Sequence, residues 1–93
     1  MDEATRAQFE LLRQRFLAGL ARRMAELDAA DDDSSRRAVL HRLAGAAGAY
    51  GCEALGQLAR QAEQALREPP LGDAAQAREA IARLRLDARE LGG

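Results

Sequence analysis

The only histidine of the chain, His41, lies in a stretch whose spacing predicts a helix with the imidazole pointing outward. At about 100° per residue, the apolar side chains around it fall within roughly 40° of the direction opposite His41. These core-facing residues are Val39, Leu43, Ala46 and Tyr50, with Leu40 and Ala47 on one flank. A neutral imidazole nitrogen is a good nucleophile near neutral pH. The spacing therefore predicts an accessible nucleophile on the solvent side of a helix.

Small residues surround His41 on its own side of this helix. They form a small-residue surface made of Ala38, Ala44, Gly45, Gly48 and Ala49. Each glycine inside a helix costs about 0.5 to 1 kcal/mol relative to alanine, so a compensating role is expected. We interpret Gly45 and Gly48 as leaving room for another macromolecule to approach the imidazole. The alternative is close approach by another helix of the same chain, which is less favoured because these glycines point away from the apolar stripe.

The residues around His41 also form a motif. It consists of His41, Leu43, Gly45, Ala46, Ala47, Tyr50 and Gly51, with other residues between them. This pattern resembles the signature of histidine-containing phosphotransfer (HPt) domains, which carry phosphoryl groups in multistep phosphorelays. The resemblance extends from about residue 9 to about residue 67. It implies that His41 is the phosphoacceptor and lies exposed on the second helix of a four-helix bundle.

One position departs from the family pattern. The family usually has lysine three residues after the histidine, where it helps to hold the phosphoryl group, and this chain has Ala44 there. Arg37 lies one turn before His41 on the same face and is a candidate replacement cation. Arg42 lies about 100° away and reaches the site only if its side chain bends back. For both arginines the alternative is a solvated helix surface, which we favour for Arg42.

Glu63 is the expected partner of the histidine ring. The resemblance implies that a glutamate or glutamine at this place in the next helix reaches across to the histidine. A hydrogen bond from the ring nitrogen that is not phosphorylated would fix the tautomer and leave the other nitrogen free. The alternative is an ordinary surface glutamate, and the sequence favours neither interpretation.

Hydrophobic spacing predicts four amphipathic helices in one domain, residues 1–93. The predicted helices cover residues 4–28, 35–50, 52–67 and 74–91. Short connections force helices that are neighbours in the sequence to lie side by side. We therefore expect an all-α protein, an antiparallel up-and-down four-helix bundle.

Capping residues and prolines set the expected helix ends. Asp33 or Ser34 is the expected N-cap of the second helix, because aspartate and serine accept hydrogen bonds from free backbone N–H groups. Gly51 is expected to end that helix. Pro69-Pro70 ends the third helix because proline lacks a backbone N–H donor. Asp73 is the expected cap of the last helix.

Composition limits the classes of function. The chain is 47% hydrophobic but only 3% aromatic, which predicts a core of leucine and alanine. With a formal net charge of -1 and both signs interspersed, no nucleic-acid-binding face is expected. No apolar run approaches about 18 residues, so we expect no membrane insertion and a cytoplasmic protein.

No metal site is predicted in this chain. Cys52 is the only cysteine, so neither an internal disulfide nor a cysteine-based metal site can form. The consecutive aspartates at 31–33 lack the further ligands of a calcium loop.

These features predict a phosphorelay intermediate. His41 would accept a phosphoryl group from a receiver-domain aspartate of a hybrid histidine kinase and pass it to a response-regulator aspartate. The chain has no Gly-x-x-x-x-Gly-Lys-Ser/Thr motif, so neither ATP binding nor autonomous kinase activity is expected. The resemblance implies that the receiver domain supplies the aspartate, the lysine and Mg²⁺. We expect a monomer that binds no cofactor of its own.

Two alternatives stay open. An HPt-like module that binds a receiver or kinase without carrying phosphate is supported mainly by Ala44 at the lysine position. A plain helical bundle with a surface histidine is the other alternative. It predicts that a large side chain at Gly48 would disturb no partner contact.

Overall fold

The computed structural model describes residues 2–67 and 72–92, and these residues are helical apart from short connections. The helices are α1 (Glu3–Ala18), α2 (Leu20–Ala29), α3 (Asp33–Ala49), α4 (Glu53–Ala65) and α5 (Ala74–Gly92). The all-α class expected from the hydrophobic spacing is confirmed. The predicted helix end at Pro69-Pro70 lies outside the described residues.

The first predicted helix, residues 4–28, is interrupted at Gly19. This glycine has φ -88° and ψ -1° and separates α1 from α2. Its N–H still bonds the carbonyls of Arg15 and Phe16, and its carbonyl still accepts from the N–H of Arg23, so the chain bends rather than turns back. Glycine lowers the cost of such a distortion because it has no Cβ. Periodicity alone did not show the break because the apolar spacing continues through it.

Four of the helices close around one core. Helix α3 packs against α2 and α4, and α5 packs against α4 and α2. Helix α1 makes smaller contacts with α5 and extends past this core, and residues 2–12 are all exposed. The molecule therefore measures 48 × 22 × 19 Å. Among the helices in the described part of the chain, none has the length and apolarity needed to cross a membrane.

Leucine and alanine fill this core, as the composition predicted. The largest fully buried side chains are Leu20, Leu27, Leu40, Leu43, Leu55 and Leu84. Alanines fill the narrower spaces, and Ala47, Ala59 and Ala62 have no exposed surface. Small side chains allow helices to approach closely, so α3 and α4 lie near each other where these alanines pack.

The ends of α3 are fixed by local hydrogen bonds. Its N-cap is Asp32 rather than Asp33 or Ser34, because the Asp32 carboxylate accepts from the N–H of Ser35 at 2.7 Å. At the other end, Gly51 has φ +76°, which favours glycine over other residues. The N–H of Gly51 bonds the carbonyl of Gly48, and that of Cys52 bonds Ala47. This is a Schellman motif, so Gly51 ends α3 as predicted.

All the aromatic residues meet at the C-terminal end of α3. The Tyr50 ring stacks on Phe16 with ring centroids 5.4 Å apart, and the centroid of Phe9 lies 5.9 Å from that of Tyr50. The guanidinium of Arg23 covers Phe16 at 5.4 Å. These contacts hold the end of α3 against α1, which fixes the direction of the helix that carries His41.

Candidate functional site

His41 lies near the middle of α3 and points into solvent. Its side chain is 78% exposed, whereas Leu40 and Leu43 on the other side of the helix have no exposed surface. The burial of these leucines anchors α3 in the core and sets its rotation about its own axis. The imidazole is therefore accessible on a helix that the core holds in place.

Glu63 of α4 lies beside the ring. Its Oε1 is 3.2 Å from Nδ1 of His41, and its side chain is only 22% exposed. The contact suggested by the resemblance is thus present in the structure. Buried alanines of α4 hold Glu63 in this place. Ala59, one turn before Glu63, and Ala62, directly before it, both pack into the core.

The contact with Glu63 determines which ring nitrogen is free. An ionised carboxylate has acceptors only, so the contact requires a proton on Nδ1 of His41, which donates to Oε1. The neutral ring then has its lone pair on Nε2. Glu63 therefore holds the ring in the tautomer whose nucleophilic nitrogen is the one away from α4.

An open cleft beside His41 gathers several arginines. Its lining residues are Ser34, Arg37, Ala38, His41, Arg42, Glu63 and Arg67. Arg37 is half-buried and Arg42 is exposed, and both lie in the cleft with the imidazole. An anion bound to Nε2 would therefore meet positive charge, which stabilises it electrostatically.

Arg67 of this cleft was missed by the sequence reasoning. It comes just after α4 ends, and its N–H bonds the carbonyl of Gln64. The signal was its position four residues after Glu63, because residues four apart lie on the same helix face. Once Glu63 is placed against His41, an arginine at this spacing must lie near the same site.

Most of the small-residue surface is open. Ala38, Gly45, Gly48 and Ala49 are exposed along the face of α3 that carries His41. A Cβ added to Gly45 or Gly48 would meet no atom within 4 Å apart from its own chain neighbours and helix backbone. These two glycines therefore do not serve the approach of another helix among the described residues.

Ala44 was wrongly assigned to the small-residue surface. Its side chain is 3% exposed and faces α4, where a Cβ added to Gly56 would lie 3.5 Å from the Ala44 carbonyl oxygen. The error arose because the helical winding alone does not show which neighbour covers the edge of α3. Helix α4 covers that edge, so the buried face of α3 is rotated towards Leu40 and Ala44.

Lysine is absent not only from position 44 but from the whole sequence. The chain contains 14 basic residues, and its sequence shows that all of them are arginines. Apart from the imidazole itself, any cationic side chain that this chain offers to a phosphoryl group is therefore a guanidinium. Guanidinium groups bind phosphate oxygens through two parallel N–H donors, which a lysine cannot do.

Comparison with known protein families identifies the class. The family whose model matches the chain is described as the Hpt domain, and the match covers residues 6–92. The chain belongs to this family, whose members are histidine phosphotransfer modules that work with receiver domains in phosphorelays and have no autokinase activity. A search of curated proteins and a search of solved structures each found no match.

Proposed function

We propose that this protein is a phosphorelay intermediate in which His41 accepts a phosphoryl group from a receiver-domain aspartate and passes it to a response-regulator aspartate. One observation carries the proposal: the imidazole of His41 is 78% exposed while its Nδ1 lies 3.2 Å from the Glu63 carboxylate. Membership of the Hpt family supports the same chemistry. The donor would be the receiver domain of a hybrid histidine kinase, and the protein would act as a cytoplasmic monomer.

The accepting step is a displacement at phosphorus. The Nε2 lone pair of His41 attacks the phosphorus of an aspartyl phosphate on the partner receiver. The N–P bond forms as the P–O bond to the aspartate breaks, and the electron pair of that bond goes to the aspartate carboxylate. The Nδ1 proton stays in the hydrogen bond with Glu63, so the ring becomes positively charged and the Glu63 carboxylate balances it. Transfer to the next receiver reverses these changes.

The transferring phosphoryl group needs cations around it. Its transition state is loose, so catalysis depends on in-line positioning and on positive charge near the equatorial oxygens. Arg37, Arg42 and Arg67 of this chain line the cleft with His41. We propose that they contribute part of this charge. The partner receiver would supply Mg²⁺ and a lysine, and this chain would bind no cofactor.

The receiver is proposed to dock over the exposed part of the small-residue surface. Ala38, Gly45, Gly48 and Ala49 present no long side chain there, so a partner pocket can close over the imidazole. We further infer an antiparallel up-and-down arrangement of the bundle. Two contacts between α3 and α4 support it. His41 pairs with Glu63, and Gly48, which comes later in α3, lies next to Gly56, which comes earlier in α4, so these two helices run in opposite directions.

Phosphotransfer profiling tests this function. The protein is incubated with each phosphorylated receiver domain encoded by the same genome, and the label on the protein is tested for stability in base and lability in acid. The proposal predicts such a label in the native protein and none in His41→Ala. Receiver binding that is unchanged in His41→Ala, with no phosphohistidine in the native protein, would instead indicate a binding module without phosphotransfer.

A further inference from the structure

Two contacts between α3 and α4 give the register of one helix against the other. Glu63 lies opposite His41, with 3.2 Å between the two polar atoms. Two turns earlier in α4, a Cβ added to Gly56 would lie 3.7 Å from the backbone nitrogen of Gly48. Counted along the two helices from these contacts, Arg60 of α4 lies at the same level as Ala44 of α3.

The Arg60 side chain is exposed at the edge of α4 next to this interface. Its neighbour Ala59 is fully buried, and Arg60 itself is exposed, which places it on the outer side of α4 one turn before Glu63. Ala44 ends at a buried methyl group, so no long side chain of α3 at this level stands between Arg60 and the His41 face.

Small residues between the two helices let α3 and α4 approach each other closely. Backbone and Cβ atoms of α3 lie within 3.5 to 3.7 Å of a Cβ placed at Gly56. Helices packed through such contacts lie near the lower limit of about 8 Å between axes. Arg60 lies three residues before Glu63, about 4.5 Å along the helix axis from the level of His41, which is a distance that an arginine side chain can span.

The charged side chains that line the cleft with His41 are Arg37, Arg42, Arg67 and Glu63, and Arg60 lies outside this set. Arg37 and Arg67 line the cleft at the level of the preceding turn of α3, and Glu63 holds Nδ1. Arg60 makes no ion pair within 4.0 Å with any carboxylate of the described residues. By contrast, Arg83 on α5 pairs with Glu79 at 3.3 Å.

We propose that Arg60 is a phosphoryl-binding residue that contacts the group on Nε2 of His41 from the Gly45 side, while Arg37 and Arg67 approach it from the other side. The inference rests on the proposed function, because it requires a phosphoryl group on His41. Arg60 on α4 would then supply the cation that the family usually has as a lysine on α3, where this chain has Ala44. The ligand is a phosphoryl dianion, which a guanidinium binds through two N–H donors.

Chemical phosphorylation tests this proposal without a partner protein. Phosphoramidate is used as the donor: Nε2 of His41 attacks its phosphorus, the P–N bond of the reagent breaks and ammonia leaves. The rate of His41 phosphorylation and the ³¹P titration of the product are measured for the native protein, Arg60→Ala and Arg60→Gln. Arg22→Ala removes the same charge from an exposed position on α2 and serves as the matched control.

The expected result is specific to Arg60. Its removal should slow phosphorylation by about threefold to tenfold, as expected for the loss of a charged hydrogen bond in a solvent-exposed site. It should also raise the pKa of the bound phosphoryl group, because a nearby cation favours the dianion. Arg22→Ala should match the native protein in both measurements.

The failures of the two proposals are distinguishable. Phosphorylation of His41 with equal rates and equal ³¹P titrations in Arg60→Ala, Arg60→Gln and Arg22→Ala would overturn the role of Arg60 alone. Absence of phosphohistidine in the native protein, with both phosphoramidate and phosphorylated receivers, would overturn the proposed function and this inference with it. Because Arg60 is exposed in a helix, alanine there should preserve the fold, and far-ultraviolet circular dichroism checks this.

Discussion

Glu63 Oε1 and His41 Nδ1 lie 3.2 Å apart across the seam between α3 and α4, and this contact divides the imidazole into two functional sides. The side that holds the proton faces a glutamate that is only 22% exposed. The side that carries the lone pair faces solvent, with the ring 78% exposed. The fold therefore protects the proton of the ring while leaving its nucleophilic nitrogen accessible.

Substitution of Glu63 should change the tautomer of His41. Glu63→Gln keeps an oxygen acceptor but loses the negative charge, and Glu63→Ala loses both. We expect the rate of phosphotransfer to fall by less than about tenfold in Glu63→Gln and by about tenfold or more in Glu63→Ala, since a hydrogen bond to a charged group contributes about 1.5 to 3 kcal/mol.

A spectroscopic measurement separates this role from a structural one. Because His41 is the only histidine, ¹⁵N chemical shifts of its ring report the tautomer without ambiguity. The native protein should show the proton on Nδ1, and Glu63→Ala should show a mixture of tautomers. An unchanged tautomer in Glu63→Ala would contradict the positioning role.

Two substitutions of Gly48 should separate folding from docking. A Cβ at Gly48 meets open space, so Gly48→Ala should stabilise the protein by about 0.5 to 1 kcal/mol through lower backbone entropy of the unfolded chain. Gly48→Leu should also fold but should block the partner and abolish transfer from a receiver. Urea unfolding and phosphotransfer, measured on both variants, check this. Normal transfer by Gly48→Leu would exclude the small-residue surface as the docking site.

The core beneath His41 should respond to truncation of Leu43. This side chain has no exposed surface, so Leu43→Ala should lower the free energy of unfolding by about 2 to 5 kcal/mol. Leu86 is 61% exposed, and Leu86→Ala is the matched control, expected to change stability by no more than about 0.5 kcal/mol. Equal effects of the two substitutions in urea unfolding would contradict the placement of α3 against the core.

The N-cap of α3 should make stability depend on pH. The N–H and hydroxyl of Ser35, followed by the charges of Arg36 and Arg37, hold the pKa of the Asp32 carboxyl below its ordinary value. A carboxylate whose pKa is lowered by folding stabilises the protein above its unfolded pKa and loses that contribution as pH falls through its folded pKa. Asp32→Asn should therefore lower the unfolding midpoint near neutral pH and have little effect below the aspartate range. A constant difference between the two proteins at all pH values would contradict this.

Features set by residues near one another in the sequence could be predicted. The recurrence of apolar residues at three- and four-residue steps predicted the helices, and Gly51 indicated the end of α3 because glycine suits the left-handed backbone conformation found there. Asp73 was expected to cap the last helix, and its carboxylate accepts from the N–H groups of Ala75 and Gln76. These features depend on the residue types at a few neighbouring positions, and the sequence gives those positions directly.

Features set by contact between helices could not be predicted in the same way. The winding of α3 placed Ala44 among the exposed residues, but α4 covers it. Arg67, just after α4, lies in the cleft, and Arg60 on α4 lies at the level of Ala44, and neither position follows from α3 alone. The bend at Gly19 also requires knowledge of how α1 and α2 pack, because their apolar spacing is continuous.

The most direct measurement is transfer of labelled phosphate from phosphorylated receiver domains of the same genome to this protein. At least one receiver is expected to lose its label to the native protein, the label should be stable in base and labile in acid, and His41→Ala should acquire none. Label that persists in His41→Ala, or a native protein that remains unlabelled by every receiver, would contradict the assignment of His41 as the phosphoacceptor.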